Sequence, residues 1–515
     1  MSFQNWNNII FNHFKTNFNK KYKIMKKDAV FINGPFLEGF SRESRSPAVT
    51  KSGTLYYPAW LAYACGYAED NGYDCKLIDS IADKLSFDSS VDLVVSYKPK
   101  IVVIGTSTPS IDADLTFARK LKSLLGETLI ILVGTHASAC AKQLVSEFEF
   151  IDLIARREYD NTILQILDCL KNSNSWQDVK GISYRDNNGE VISNIDQPYI
   201  HDLDIIPFGS KVYNKHLNIR NYYYGHVRYP MISIFTSRGC NARCNYCLYP
   251  QTMFGNFRSR SPKNIADEFL WIAQNLPEVK EVLIDDDTFT MNKAHAQATA
   301  KELIKNNNKI KWTCEARANL DFETLTLMKK AGCRLIVNGF ESIDQNVLDK
   351  VNKGIKMDEV YNYTRDAKRA GIKIHACFMA GNPGDTIETL NKSLEWAIDQ
   401  NFDTVQFFPL QVYPGTKAYD WAIQTGYIKE QNYRNWVSPS GMHNMTINEN
   451  ENGLTFQQCL DFCDEARRKF YLRPSFIFKK LVTGIFQPQE LRKNVIGFMN
   501  IRKYLFKNVS KEFTK

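Results

Sequence analysis

The sequence predicts an α/β protein of three units: a doubly wound parallel sheet, a partial (β/α)6 barrel and a small helical C-terminal domain. Three observations predict it. The chain has 515 residues, enough for about three domains at roughly 150 residues each. Its composition, 44% hydrophobic and 23% charged with 26 Gly and 17 Pro, is that of an ordered globular protein without long disordered tracts. Strand-like runs alternate with helical ones in two separate series, which is the rhythm of parallel sheets. No run of about 18 uncharged apolar residues occurs and the N-terminus lacks signal-peptide features, so a cytoplasmic protein is expected. Its 12 cysteines are then reduced thiols or metal ligands rather than disulfides.

Residues 1–27 form a basic extension, with Lys15, Lys20, Lys21, Lys23, Lys26 and Lys27 and no acid before Asp28. The first series fills 28–204. Its strands are AVFING (29–34), CKLIDS (75–80), IVVIGTS (101–107), LIILVGTH (129–136) and DLIAR (152–156), separated by amphipathic helical patterns. A hairpin, GISYRDNNGEVISN, turns at Asn187, Asn188 and Gly189. This is a Rossmann-like sandwich, in which ligands sit at the carboxyl ends of the strands where the strand order reverses. Those ends read Gly105-Thr106-Ser107-Thr108-Pro109 and Gly134-Thr135-His136. A linker over 205–230 leads to the second series, 231–426, whose six strands begin at MISIFTS, EVLIDDD, KIKWTCEA, CRLIVNGFES, IKIHACFMAG and TVQFFPLQVYPGT. Six parallel strands separated by helices predict a partial barrel with its site at the strand C-terminal ends. Residues 427–515 read as a small, helical and basic domain: from Arg467 onward 13 Lys or Arg face only Glu490 and Glu512, which exceeds the net charge of +9. Both termini are suited to an anionic partner.

Directly after the first barrel strand, TSRGCNARCNYCLYP places Cys240, Cys244 and Cys247 at C-x3-C-x2-C spacing. Three thiolates on one short loop hold three irons of a [4Fe-4S] cluster and, with no fourth cysteine nearby, leave one iron open to a small-molecule ligand. Zinc is the rival reading, but structural zinc takes four protein ligands, often as two separated pairs, and no partner pair follows. The other nine cysteines, Cys459 and Cys463 among them, read as core residues.

The loop C-x3-C-x-aromatic-C, with Tyr246 before the last cysteine, resembles the radical S-adenosylmethionine superfamily. The resemblance implies that the methionyl amine and carboxylate of S-adenosylmethionine chelate the open iron and that one electron cleaves the sulfonium to a 5'-deoxyadenosyl radical. Tyr246 then packs near the adenine. Asp286 after the second strand, Arg317 after the third, Glu341 at the fourth and Gly384 after the fifth match strand-end motifs of the cobalamin-binding branch and are expected to hold the ligand; a direct Arg317–Glu341 pair is the structural alternative. The first domain resembles that branch's cobalamin domain, which points to Thr106, Ser107, Thr108, Gly134 and His136 as cofactor contacts. The resemblance covers roughly residues 28–480. Within it RSPAVTKSGTLYYPAWLAYACG and FYLRPSFIFKKL look closest to hopanoid-biosynthesis-associated members. The family's D-x-H-x-x-G motif is absent, so no histidine is expected on the lower face of cobalt. Arg156-Arg157-Glu158-Tyr159 stands where relatives often read Gly-Glu-Gly-Glu.

The resemblance implies an enzyme that abstracts hydrogen from an unactivated carbon and methylates it, using cluster, S-adenosylmethionine and cobalamin. Radical ring closure, ring contraction or oxidation with the same cofactors is the alternative, and a B12 or redox sensor without turnover is the reading from another class. No catalytic acid or base is assigned. The expected partners are a small-molecule or lipid substrate and an electron donor such as flavodoxin or ferredoxin. Peripheral contact with an anionic inner-membrane face is expected from the tail, where Phe and Leu interleave with Lys and Arg. No nucleic acid is expected, since no binding motif accompanies the basic residues.

Overall fold

The computed structural model describes residues 26–428, 432–443 and 447–506. The basic extension, apart from Lys26 and Lys27, and residues 507–515 of the tail lie outside them.

The first sheet has the order β2-β1-β3-β4-β5-β6-β7. Strands β1 (Ala29–Asn33), β2 (Cys75–Asp79), β3 (Ile101–Thr106), β4 (Leu129–Gly134) and β5 (Leu153–Ala155) are parallel. β6 (Ile182–Arg185) and β7 (Val191–Ser193) close the edge as an antiparallel hairpin. Every residue of β1 and β3 is buried, as expected where helices cover both faces of a Val- and Ile-rich strand. The order reverses between β1 and β3. That crevice is filled by Arg42, whose Nη2 donates to Asp114 Oδ1 at 2.7 Å and whose Nε donates to Ser110 Oγ at 3.2 Å.

The second sheet is the expected partial barrel: β8 (Met231–Ile234), β11 (Glu281–Ile284), β12 (Lys311–Ala316), β13 (Cys333–Glu341), β14 (Lys373–Ala380) and β15 (Thr404–Pro409), neighbours in that order and all parallel. Between β8 and β11 the short strands β9 (Ser237–Arg238) and β10 (Arg258–Ser259) pair antiparallel and carry the cysteine loop between them. The open edge at β15 is capped by the helix Phe456–Tyr471. Tyr471 Oη donates to the Val405 carbonyl at 2.7 Å and accepts from the Val405 N–H at 3.0 Å.

The C-terminal unit is helical from Phe456 onward. Its first part is irregular, with a short 3-10 turn at Tyr433–Trp436 and isolated bridges. Helices Pro474–Phe486 and Pro488–Phe506 form a hairpin against the barrel's lower end. Two acids anchor it. Asp403 accepts from Lys480 Nζ at 2.8 Å and from Lys493 Nζ at 3.3 Å, and Glu490 accepts from Arg228 Nε at 2.9 Å and Lys373 Nζ at 2.8 Å. Although burial opposes it, Lys493, Arg334 and Lys373 hold the Glu490 carboxyl far below its ordinary range. Part of the basic excess is thus consumed inside the fold.

The two α/β units are joined by a buried ionic clamp. Arg238 on β9 donates from Nη1 and Nη2 to Asp160 Oδ2 and Oδ1 at 2.7 and 3.0 Å, and Arg258 on β10 donates from Nη1 to Glu158 Oε2 at 3.1 Å and from Nη2 to Glu158 Oε1. The side chains of Arg238, Asp160 and Glu158 are 4 to 5% exposed. Trp60 and Tyr63 lie under the Arg238 guanidinium at 5.5 and 5.7 Å, where the ring faces favour a cation. Asp160→Ala leaves that guanidinium buried without its bidentate partner, a loss of about 3–5 kcal/mol. Urea unfolding followed by tryptophan fluorescence measures it; a change below about 1 kcal/mol, the size of an exposed pair, would show the clamp to be dispensable.

Candidate active site

The cysteine loop is held from three sides. Before it, Asp286 at the end of β11 accepts from the Thr236 and Ser237 N–H groups at 2.6 and 3.0 Å and from both hydroxyls at 2.6 and 2.7 Å. At its start, Gly239 has φ +81°, and a Cβ there would sit 2.7 Å from the Gly255 carbonyl oxygen, so only glycine fits. Within it, Gln251 Nε2 donates to the Cys247 carbonyl at 2.7 Å, and the Asn245 N–H donates to the Val351 carbonyl at 3.0 Å. Cys240 and Cys244 are buried and Cys247 half-buried, and none is disulfide-bonded.

All three thiols line one cavity of about 780 Å³ that runs from the C-terminal mouth of the barrel down to the helical hairpin at its lower end. Burial, with Asp287 and the other two thiols adding, pushes the Cys247 thiol well up. Three thiolates beside a carboxylate are costly unless a cation binds them. Among the described residues the group whose potential ligand atoms all lie within 4.8 Å of one another is Cys65, Glu69 and His216, not this trio. A single zinc ion, with Zn–S near 2.3 Å, needs thiolates closer than that. Three thiols on one loop beside an open cavity are the donor set of an iron–sulfur cluster that leaves one iron free.

Glu341 faces the cysteines. It sits where the β13–β14 register shifts between Gly339 and Glu341, with φ +65°, a backbone region that L residues occupy only when their surroundings impose it. Its Oε1 accepts from Tyr246 Oη at 3.0 Å and from Lys353 Nζ at 2.8 Å, while Oε2 is buried with no partner. A Cβ at Gly339 would collide with Glu341 Oε1, which explains that glycine. Buried polar atoms are normally bonded; Glu341 Oε2, at a strained backbone position, is an acceptor whose hydrogen-bonding capacity is unused.

Arg317 also lines the cavity, but it does not pair with Glu341. Its Nη2 donates to the Lys353 carbonyl and, at 2.9 Å, to the Gly354 carbonyl, fixing the turn that presents Lys353. Asp286 and Gly384 are not among the lining residues. Asp286 spends its oxygens on the turn before the cysteine loop. Gly384, at φ +88°, shapes the turn after β14 in which Asp385 accepts from the Asn382 N–H at 2.8 Å.

The five first-domain residues expected to touch cobalamin converge on one edge but do not line the cavity either. Thr106 Oγ1 donates to the Val133 carbonyl at 2.8 Å, Ser107 and Ser110 share a hydrogen bond of 2.8 Å, and His136 Nδ1 lies 3.1 Å from Thr108 Oγ1. Gly134, at φ +104°, lets β4 turn against the Thr106 backbone. Burial pushes His136 down to about 3, and its ring meets Tyr433 edge-on at 5.1 Å. The part of the first domain that does reach the cavity is the loop after β1, from Ser44 to Tyr56.

That loop delivers a residue the sequence reading missed. Arg45 donates from Nη1 to Asp285 Oδ1 at 3.1 Å and from Nη2 to the Asp285 and Asp286 carbonyls at 3.0 and 2.6 Å, and it lies 3.9 and 4.0 Å from the Asp287 and Glu315 carboxylates. One cation thus serves three acids. Burial, reinforced by Asp285 and Asp287 and opposed by Arg45, pushes Glu315 up to about 8; burial and the neighbouring aspartates push Asp287 up to about 6. Lys353 was missed as well. Neither residue sits in a strand-end motif; both come from loops that only the fold brings to the cavity.

A carboxyl whose pKa is higher folded than unfolded stabilises the fold below its unfolded value, and this stability is lost as pH rises through the folded value. For Glu315 the window runs from its ordinary 4.5 to about 8. Glu315→Gln should therefore leave the melting temperature nearly unchanged at the acid end and raise it at the alkaline end; a lower melting temperature throughout would show the carboxylate to be held ionised.

Residues 234–397 match the radical SAM superfamily and residues 45–167 match the B12 binding domain. An uncharacterized methyltransferase of Pyrococcus horikoshii is 27% identical over 430 residues, 83% of this chain and 91% of its own. The anaerobic magnesium-protoporphyrin IX monomethyl ester cyclase of Cereibacter sphaeroides is 26% identical over 425 residues, 81% of this chain and 67% of its own. In fold, the radical S-adenosylmethionine methyltransferase TsrM from Kitasatospora setae, solved with cobalamin and a [4Fe-4S] cluster bound, superposes with a TM-score of 0.63 at 14% identity, covering 84% of this chain and 83% of that one. The two domain matches fall on the two sheets described above, the second of them beginning at the loop that carries Arg45. The chain therefore carries a radical S-adenosylmethionine domain and a B12 binding domain, and it is an enzyme that works with a [4Fe-4S] cluster, S-adenosylmethionine and cobalamin.

Proposed function

We propose that this enzyme methylates an unactivated carbon of its substrate within the cavity between the cysteine loop, the barrel strand ends and the loop after β1. The observation that carries the reading is the shared chamber: the three thiols and Glu341 line the same space that the first domain's loop enters. When bound, the cluster and S-adenosylmethionine supply a hydrogen-abstracting radical and cobalamin supplies a methyl carrier. The chain's own residues do the positioning. Cys240, Cys244 and Cys247 hold the cluster and leave one iron for the ligand. Glu341 accepts from the ligand's ammonium, and Tyr246 and Lys353 fix the Glu341 carboxylate by occupying its other oxygen. Arg317 and Arg45 set the turn and the acid cluster on either side. The loop from Ser44 to Tyr56 and the strand ends at Thr106–Thr108, Gly134 and His136 form the first-domain face offered to the corrin.

A second reading, radical ring closure or oxidation, is favoured by the likeness to the Cereibacter cyclase. The same residues serve both, since the two reactions diverge only after hydrogen abstraction. The substrate is a small molecule and turnover needs a reductant, for which a flavodoxin or ferredoxin is the proposed source. The basic tail is proposed to hold the enzyme at an anionic membrane face, with a lipid as the substrate.

Reduced, reconstituted protein given S-adenosylmethionine and extract should release 5'-deoxyadenosine together with S-adenosylhomocysteine. 5'-Deoxyadenosine alone would select ring closure or oxidation, and neither product would sink both. Cys244→Ala should lose the cluster absorbance while Cys459→Ala keeps it; about four irons retained in Cys244→Ala would remove that cysteine from the ligand set. Glu341→Gln removes a hydrogen bond to a charged group, worth about 1.5–3 kcal/mol, so S-adenosylmethionine should bind about tenfold more weakly or worse with the iron content unchanged. Equal affinity would return Glu341 to a purely structural role.

A further inference from the structure

The hairpin of helices Pro474–Phe486 and Pro488–Phe506 is turned inside out with respect to water. Its pairing charges point into the fold: Lys480 reaches Asp403, and buried Lys493 lies 3.2 Å from buried Glu490. Most of its apolar side chains point away, Phe476, Tyr504 and Leu505 being the buried ones. Phe478, Leu481, Val482 and Ile485, spaced as one helical stripe, are 69, 57, 37 and 74% exposed, and Phe486 at the tip is 80% exposed. A helix resting on a globular core buries such a stripe. A contiguous exposed apolar surface marks an interaction site.

The charges around the stripe select its occupant. The exposed charged residues of the hairpin are Lys479, Arg492, Arg502 and Lys503, all positive, while its acid, Glu490, is buried. A second copy of the chain docked on this surface would oppose like charges. An anionic bilayer complements them, each Lys or Arg near the leaflet contributing attraction that salt screens. No helix among the described residues is long and apolar enough to cross a membrane, so the hairpin would lie in the interface rather than span it.

The same surface borders the chamber. Ile477, Leu481, Leu491, Val495 and Phe498 line the cavity that begins at the three cysteines, and each is between 41 and 57% exposed. The cavity therefore opens through the apolar face. We propose that this hairpin is a docking surface for anionic bilayers and the entrance through which a membrane-resident substrate with an extended apolar body enters the barrel. The proposal rests on the reading of this cavity as the reaction chamber and goes beyond a merely basic tail by assigning both the face and the route.

The test uses the full chain with vesicles of phosphatidylcholine, with and without phosphatidylglycerol, at low and high salt. Sedimentation should require phosphatidylglycerol, weaken at high salt, and fall about tenfold or more in Ile485→Glu/Phe486→Glu, whose side chains do not line the cavity. Formation of 5'-deoxyadenosine without vesicles, unchanged in that variant, shows its chamber intact, so failure of the docking and failure of the enzymatic reading are told apart. Phosphatidylglycerol with a photoreactive acyl chain should crosslink to peptides bearing Leu481, Leu491 or Phe498. Equal recovery in the supernatant with and without anionic vesicles, or binding that survives the double substitution, overturns the docking. So does a dimer of the free chain that the same substitution dissolves. Crosslinks confined to Phe478 and Phe486 overturn the entrance.

Discussion

The chamber depends first on the clamp of Arg238 and Arg258 against Asp160 and Glu158. The two arginines are the flanking strands of the cysteine loop, and the two acids follow the fifth strand of the cobalamin-binding sheet. Pinning β9 and β10 fixes both ends of the loop, and the same contact sets the distance between the two domains. Burying four charges is expensive, and a buried ion pair is weak evidence for stability as such. What the bidentate geometry provides is register. A planar guanidinium with two parallel bonds to one carboxylate admits far fewer orientations than an apolar contact of equal area.

Within the clamped frame the acids of the chamber gather at its cysteine end. Asp285, Asp287 and Glu315 share Arg45, Glu341 shares Lys353, and the three thiols lie among them. Strain and an unpartnered oxygen coincide at Glu341. Both are costs that folding alone does not recover, and a bound donor answers the second.

The C-terminal hairpin follows the same economy of charge in reverse. Asp403 draws Lys480 and Lys493 inward against the barrel, and Lys373 of β14 holds Glu490 of the hairpin from the barrel side. The helices are thereby rotated so that their apolar stripe is left outside, next to the opening of the cavity.

The sequence by itself determined the two parallel sheets, the hairpin over β6 and β7 and the cysteine loop. Each is written in local signals: runs of Val and Ile, a turn at Asn187–Gly189, and three cysteines at fixed spacing. It also singled out Glu341 and Arg317 at the strand ends. What it could not decide is the partner of each polar group, because partners are set by contacts across long stretches of chain. Asp286 looked like a ligand contact and is instead the anchor of Thr236 and Ser237, some fifty residues earlier. Gly384 shapes a turn, and Arg45 and Lys353 enter the chamber from loops without a motif. The period of Phe478, Leu481, Val482 and Ile485 is identical whether the stripe faces a core or the solvent. Only the tertiary structure decided that, because the direction a helix faces is fixed by what its other side is bonded to, here Asp403 and the cluster around Glu490.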